Sequence, residues 1–87
     1  MHLRGIVMET LFELGSSTAQ EVADYCGIDP NQASVALLRC TRSGLVERRR
    51  VRRRSRWVSG PKYLFVYGIT GRGLDRLCYW RSEDELA

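Results

Sequence analysis

Apolar residues at the start of the chain recur at three- and four-residue steps, Leu3, Ile6, Val7, Leu11 and Leu14, which is the stripe of an amphipathic helix. Gly15 follows and predicts a left-handed C-terminal stop. Thr18 and Glu21 have the spacing of a capping box, in which hydroxyl and carboxylate satisfy orphan backbone donors at a helix start. A second helix is expected from there to about Cys26, with Ala19, Val22, Ala23 and Cys26 inward, Gly27 as its stop and Ile28 as the apolar contact beyond. Asp29-Pro30-Asn31-Gln32 is another start signal: Asp29 as N-cap, Pro30 at the first helical position, where its missing donor costs nothing, and Gln32 returning to the cap. This third helix should run to Ser43 and be closed by Gly44, with Ala33, Ala36, Leu37 and Cys40 inward and Leu45 as the apolar residue beyond. Two helices joined by so short a glycine-containing turn cross steeply, as in a helix-turn-helix.

After Gly44 the period changes. Leu45 to Trp57 is rich in Val and Arg, Ser59-Gly60-Pro61 is a turn cluster, and Lys62 to Ile69 places Tyr63, Phe65, Tyr67 and Ile69 on one face of a strand. The expected product is a two-stranded hairpin with a basic first strand. Thr70 is placed to cap a last helix with Leu74, Leu77 and Cys78 inward, and Arg81 to Ala87 turns acidic and is expected to fray. Neither an internal repeat nor a linker is visible. A chain of 87 residues is long enough for one domain, here residues 1–87, of the α+β class.

Charge sharpens this picture. Residues 48–62 hold eight of the fourteen positive charges and none of the ten acids, so the remaining residues are net negative and the whole +4 resides in one short segment. Seven of the eight are Arg, whose planar fork suits phosphate oxygens and guanine edges. A run this dense is self-repelling, and Glu47 is the acid nearest to it, so a polyanionic partner is favoured over a merely solvated face.

Composition excludes several classes. The apolar stretches, such as Tyr63 to Tyr67, fall far below the roughly 20 residues of a membrane helix, and no charged segment followed by an apolar core marks a secretory signal. Cys26, Cys40 and Cys78 are odd in number and separated by 14 and 38 residues, which fits neither a disulfide framework nor paired zinc ligands. Reduced core thiols in a cytoplasmic protein are the expectation, with a disulfide as the alternative. His2 sits at the amino end without an assigned role, and no nucleophile with its base, metal cluster or phosphate-cradling loop can be assembled. Neither an enzyme, a cofactor nor a small-molecule effector is expected.

The stretches Ser43-Gly44-Leu45-Val46-Glu47-Arg48 and Tyr67-Gly68-Ile69-Thr70-Gly71-Arg72-Gly73 resemble the entry to and return from the wing in the winged helix-turn-helix superfamily. The likeness is to small regulators of the MarR, ArsR and PadR type and their archaeal and viral relatives, and it covers nearly the whole chain, although the chain is shorter than a typical MarR protein. The resemblance implies that helix 3 enters a DNA major groove, with Asn31, Gln32, Ser34, Val35 and Arg39 toward base edges. It implies a wing whose Arg48, Arg50, Arg52, Arg53, Arg54, Arg56 and Lys62, with Arg42 from helix 3, follow the phosphate backbone or enter the minor groove. It also implies a homodimer on double-stranded DNA, with Leu3, Val7, Tyr79 and Trp80 at the interface.

Alternatives stand beside these assignments. Asn31 and Gln32 also serve as capping residues, Val35 and Leu38 also suit a core or an interface, and Trp57, Tyr63 and Phe65 either stack on bases or pack the hairpin on the helices. At the level of function, a transcriptional regulator reading duplex sequence competes with a non-specific architectural, replication-linked or RNA-binding winged helix. A protein-interaction module is the third reading.

Overall fold

A computed structural model of the protein describes residues 2–52 and 63–86, with the side chain of Leu86 excepted. Each helix begins and ends where local chemistry dictates. α1 spans Leu3–Leu14, α2 Ala19–Cys26 and α3 Pro30–Arg42; β1 (Val46–Arg52) and β2 (Tyr63–Ile69) follow, then α4 (Gly71–Leu86). The Thr18–Glu21 capping box is complete. Asp29 caps α3 by accepting from the Asn31 amide at 2.7 Å, but Gln32 does not close the reciprocal half of the box and stays exposed. At the end of α3 the amide of Leu45 donates to the Cys40 carbonyl at 3.0 Å and that of Gly44 to Thr41 at 3.1 Å, with Gly44 left-handed at φ 75°. This is the Schellman closure expected of that Gly-Leu pair. Gly15 differs from expectation: its φ of 81° is positive, but ψ of −163° is outside the left-handed helical region.

The core joins Val7, Met8 and Leu11 of α1 to Val22 and Ala23, to Ala33, Ala36, Leu37 and Cys40, and to Leu45, Val46, Tyr67 and Leu77. The inward residues of α3 are those the period indicated. Those of α1 are rotated from the expected stripe: Gly5, Val7, Met8, Thr10 and Leu11 are buried, whereas Leu3, Ile6 and Leu14 are exposed. Gly5, lacking a side chain, and the short Thr10 are tolerated on that face. The Thr10 hydroxyl donates to the Ile6 carbonyl at 2.9 Å and lies 2.8 Å from Cys26 Sγ. With its one proton so committed, the hydroxyl accepts from the thiol, and a buried polar group is satisfied without water.

α4 departs further. Leu77 is buried, but Leu74 and Cys78 are exposed, and the inward line instead runs through Gly73, Leu77 and half-buried Trp80. The helix starts against the α3–β1 turn: Thr70 donates its amide to the Leu45 carbonyl at 3.1 Å and its hydroxyl to Gly44 at 2.8 Å, and caps α4 by accepting from the Gly73 amide at 3.0 Å. Gly73 thereby sits directly beneath the Leu45 carbonyl. The helix does not fray at Arg81; it continues to Leu86. Arg81 Nε donates to Glu9 Oε2 at 2.9 Å, a second bond joins Arg81 Nη2 to Glu9 Oε1, and the guanidinium lies 4.9 Å from the Phe12 ring. The hydrogen bond to Glu9 is the main reason the Arg81 pKa is raised further above its ordinary value.

The strands pair antiparallel, Val46 opposite Ile69 through Arg52 opposite Tyr63. A third piece of extended chain joins them: Ser17 exchanges both backbone bonds with Tyr67, at 3.0 and 2.8 Å. The α1–α2 connection is thereby stitched to the hairpin base. Nothing in the sequence pattern indicated it.

Candidate nucleic-acid interface

The residues of α3 that point away from the core are Asn31, Gln32, Ser34, Val35, Arg39 and Arg42, all exposed. Val35 is 50% exposed, so it is not a core residue, whereas Leu38 is half-buried on the flank. The helix is held by small residues underneath, Ala33 and Ala36, which let it lie close on its neighbours while its outer side remains polar. Arg39 and Arg42 occupy the last turn, where a cation also opposes the negative end of the helix dipole.

The ribbon leaves the end of this helix after three residues. Alternation along β1 puts Arg48, Arg50 and Arg52 on one face and Glu47, Arg49 and Val51 on the other. The register adds what alternation along one strand cannot: the Arg48, Arg50, Arg52 face is the same face that carries Tyr67, Phe65 and Tyr63. Long guanidinium side chains reach the diagonal ring across the ladder. Arg48 lies 4.4 Å from the centre of Phe65, and Arg50 lies 4.6 Å from that of Tyr63. These are cation–π distances. Packing of the hairpin on the helices, one of the two expectations for Tyr63 and Phe65, is not met: these rings project from the ribbon, 45% and 47% exposed, and Tyr67 and Ile69 do the packing instead.

Arg48, Arg49, Arg50 and Arg52 are all exposed, and among the described residues none of them, nor Arg39 or Arg42, is in an ion pair. The positive charge of these six arginines is therefore not paired off among the described residues. Arg49 is exposed on the reverse face of the ribbon. Arg53, Arg54, Arg56, Lys62 and Trp57 lie outside the described residues.

The expected interface residues separate. Tyr79 is 55% exposed with Arg76 at 5.8 Å from its ring, and Leu3 is exposed. Val7 is a correction: it is fully buried in the monomer core and presents no surface to a partner. Trp80 is half-buried against that core, and His2 packs edge-on against it at 4.4 Å. His2 has a structural part after all, since its Nδ1 accepts from the Gly5 amide at 3.1 Å and caps α1. Of the cysteines, Cys40 is buried, Cys26 half-buried and Cys78 exposed, all free, so the expectation of core thiols fails at Cys78. Burial pushes the Cys40 thiol pKa up, partly opposed by Arg4. No cluster of metal-binding side chains occurs among the described residues.

Three helices, a two-stranded antiparallel ribbon after the third, and a closing helix make this a winged helix-turn-helix domain. No protein-family model matches the chain, and no curated protein matches it in sequence. Its fold is shared by solved structures. A crystal structure of a MarR family transcription regulator superposes with a TM-score of 0.75 at 22% identity, over 95% of this chain and 50% of that one. A MarR family protein from Bacillus stearothermophilus gives 0.64 at 20% identity, over 97% of this chain and 55% of that one. The chain thus spans about half the length of these structural neighbours.

Proposed function

We propose that this chain is a DNA-binding module of a transcriptional regulator, with α3 reading base edges in the major groove and the arginine ribbon gripping the backbone beside it. The observation that supports this best is the continuity of an exposed polar helix face with a row of unneutralised guanidiniums that begins at the helix's own end. Asn31 and Gln32 suit adenine, Arg39 suits guanine, Val35 suits a thymine methyl, and Ser34 suits either kind of edge. Arg42, Arg48, Arg50 and Arg52 supply phosphate contacts, and Arg53, Arg54, Arg56 and Lys62 add further cations for the same backbone. The role is binding rather than catalysis. No described helix is long and apolar enough to cross a membrane, and the place of action is taken to be wherever the protein meets DNA. A second copy, docking through Leu3 and Tyr79, would place two reading helices about one helical turn of DNA apart.

Fluorescence anisotropy with labelled duplexes, titrated with salt, tests the reading. About five phosphate contacts give a slope of log affinity against log salt of roughly −4 to −5. Gln32→Ala or Arg39→Ala should relax base preference by about 1 to 3 kcal/mol, while Arg52→Ala should weaken every duplex alike and flatten the slope by about 1. Failure to bind any duplex at low salt refutes the proposal. Unchanged selectivity in both α3 variants removes α3 as the reader.

A further inference from the structure

We infer that the aromatic face of the ribbon is a platform for unpaired bases, so that the protein also binds single-stranded nucleic acid through Phe65 and Tyr63 with Arg48, Arg50 and Arg52 as the phosphate partners. This goes beyond the duplex reading, because α3 takes no part in it.

Three observations carry it. First, Phe65 and Tyr63 remain nearly half exposed although they stand in a strand whose inner residues, Tyr67 and Ile69, pack on the helices. Large exposed rings cost free energy in water unless something covers them. Second, the guanidiniums of Arg48 and Arg50 lie over these two rings at 4.4 and 4.6 Å. Each guanidinium sits at one side of a ring, and rings and guanidinium groups alike are surfaces on which unstacked bases sit. Third, the face carries no carboxylate between positions 48 and 52 or between 63 and 67, so its charge complements a polyanion and disfavours an acidic-aromatic balance of the kind that two protein surfaces share.

The spacing fits as well. Neighbouring residues on one face of a strand are about 6.8 Å apart, twice the roughly 3.4 Å rise between stacked bases. Bases drawn apart to alternate with side chains match that repeat. Bases in a closed duplex do not, because their faces are already occupied by one another.

The test uses labelled 15-mers of oligodeoxyuridine and oligouridine beside a hairpin duplex, by anisotropy at low salt, with the whole chain. The wild type should bind both single strands, and a preference for one would identify the sugar chemistry recognised. Tyr63→Leu/Phe65→Leu keeps apolar bulk without π faces and should weaken single-strand binding by about 5- to 150-fold for each ring lost, while duplex affinity stays within about twofold and the thermal melt is unchanged. Tyr63→Phe/Phe65→Tyr should restore single-strand binding. Ultraviolet crosslinks from the single strand should map to the peptide holding Tyr63 and Phe65. The inference is overturned if wild type does not bind single strands, if the leucine variant binds them normally, or if single-strand and duplex affinities fall together, which would mean the rings only prop the arginines. Single-strand binding that depends on the rings, with no duplex binding at all, would uphold this inference and overturn the duplex reading instead.

Discussion

Replacing Gly73 with Ala separates general helix rules from this particular fold. Inside a helix, Gly→Ala ordinarily stabilises by about 0.5 to 1 kcal/mol, because glycine loses more backbone freedom on folding. At position 73 the new Cβ would overlap the Leu45 carbonyl oxygen and come within 2.9 Å of Ile69 Cγ1. The obstruction is backbone, held in place by the 3.1 Å bond from the Thr70 amide to that same carbonyl, so it cannot swing aside as a side-chain tip would. Overpacking costs about 1 to 3 kcal/mol, and losing or stretching the Thr70 bond adds about 0.5 to 1.5. After subtracting the helix gain, the net loss is about 0.5 to 4 kcal/mol. For a domain of this size that lowers the melting temperature by about 2 to 30 °C. The assay is thermal unfolding followed by circular dichroism, with Gly71→Ala as its companion. An added Cβ at 71 meets nothing within 4 Å and the backbone there is not in a positive-φ conformation, so Gly71→Ala should be neutral or stabilising by up to about 1 kcal/mol. A Gly73→Ala protein that melts at or above wild type would refute the reading of α4 as wedged beneath the α3–β1 turn.

Three further outcomes follow from the same structure. Thr70→Ala removes both the α4 cap and the hydroxyl bond to the Gly44 carbonyl; it should cost about 0.5 to 2 kcal/mol in urea unfolding, and an unchanged midpoint would exclude the cap. Thiol alkylation followed by mass spectrometry should label Cys78 first, Cys26 more slowly and Cys40 only on unfolding. Because burial raises the Cys40 pKa in the folded state, the folded protein holds that proton more tightly than the unfolded chain. Its contribution to stability is therefore present below the ordinary thiol pKa and declines as pH rises past about 8.5. Cys40→Ser, whose hydroxyl does not titrate there, should lose this decline, and an identical alkaline profile would argue against it.

The sequence by itself determined where α2 and α3 begin and end, where α4 begins, and which side of α3 is buried. Capping by Thr18, Glu21, Asp29 and Thr70, and the closure of α3 at Gly44 and Leu45, are interactions between residues a few positions apart; they need no tertiary partner, so the sequence suffices to show them. The arginine cluster and its proximity to α3 were equally legible. Which way α1 and α4 turn about their axes was decided only in three dimensions. Both carry more apolar residues than a domain this small can bury; close approach at Gly73 put Leu77 rather than Leu74 in the interior, and in α1 Gly5, Val7 and Met8 are buried while Leu3 is not. Tertiary structure likewise decided the Ser17–Tyr67 bridge and the pairing of arginines with rings across the ribbon. Alternation along one strand says which of its residues share a face, but the partner strand's register settles what stands beside them.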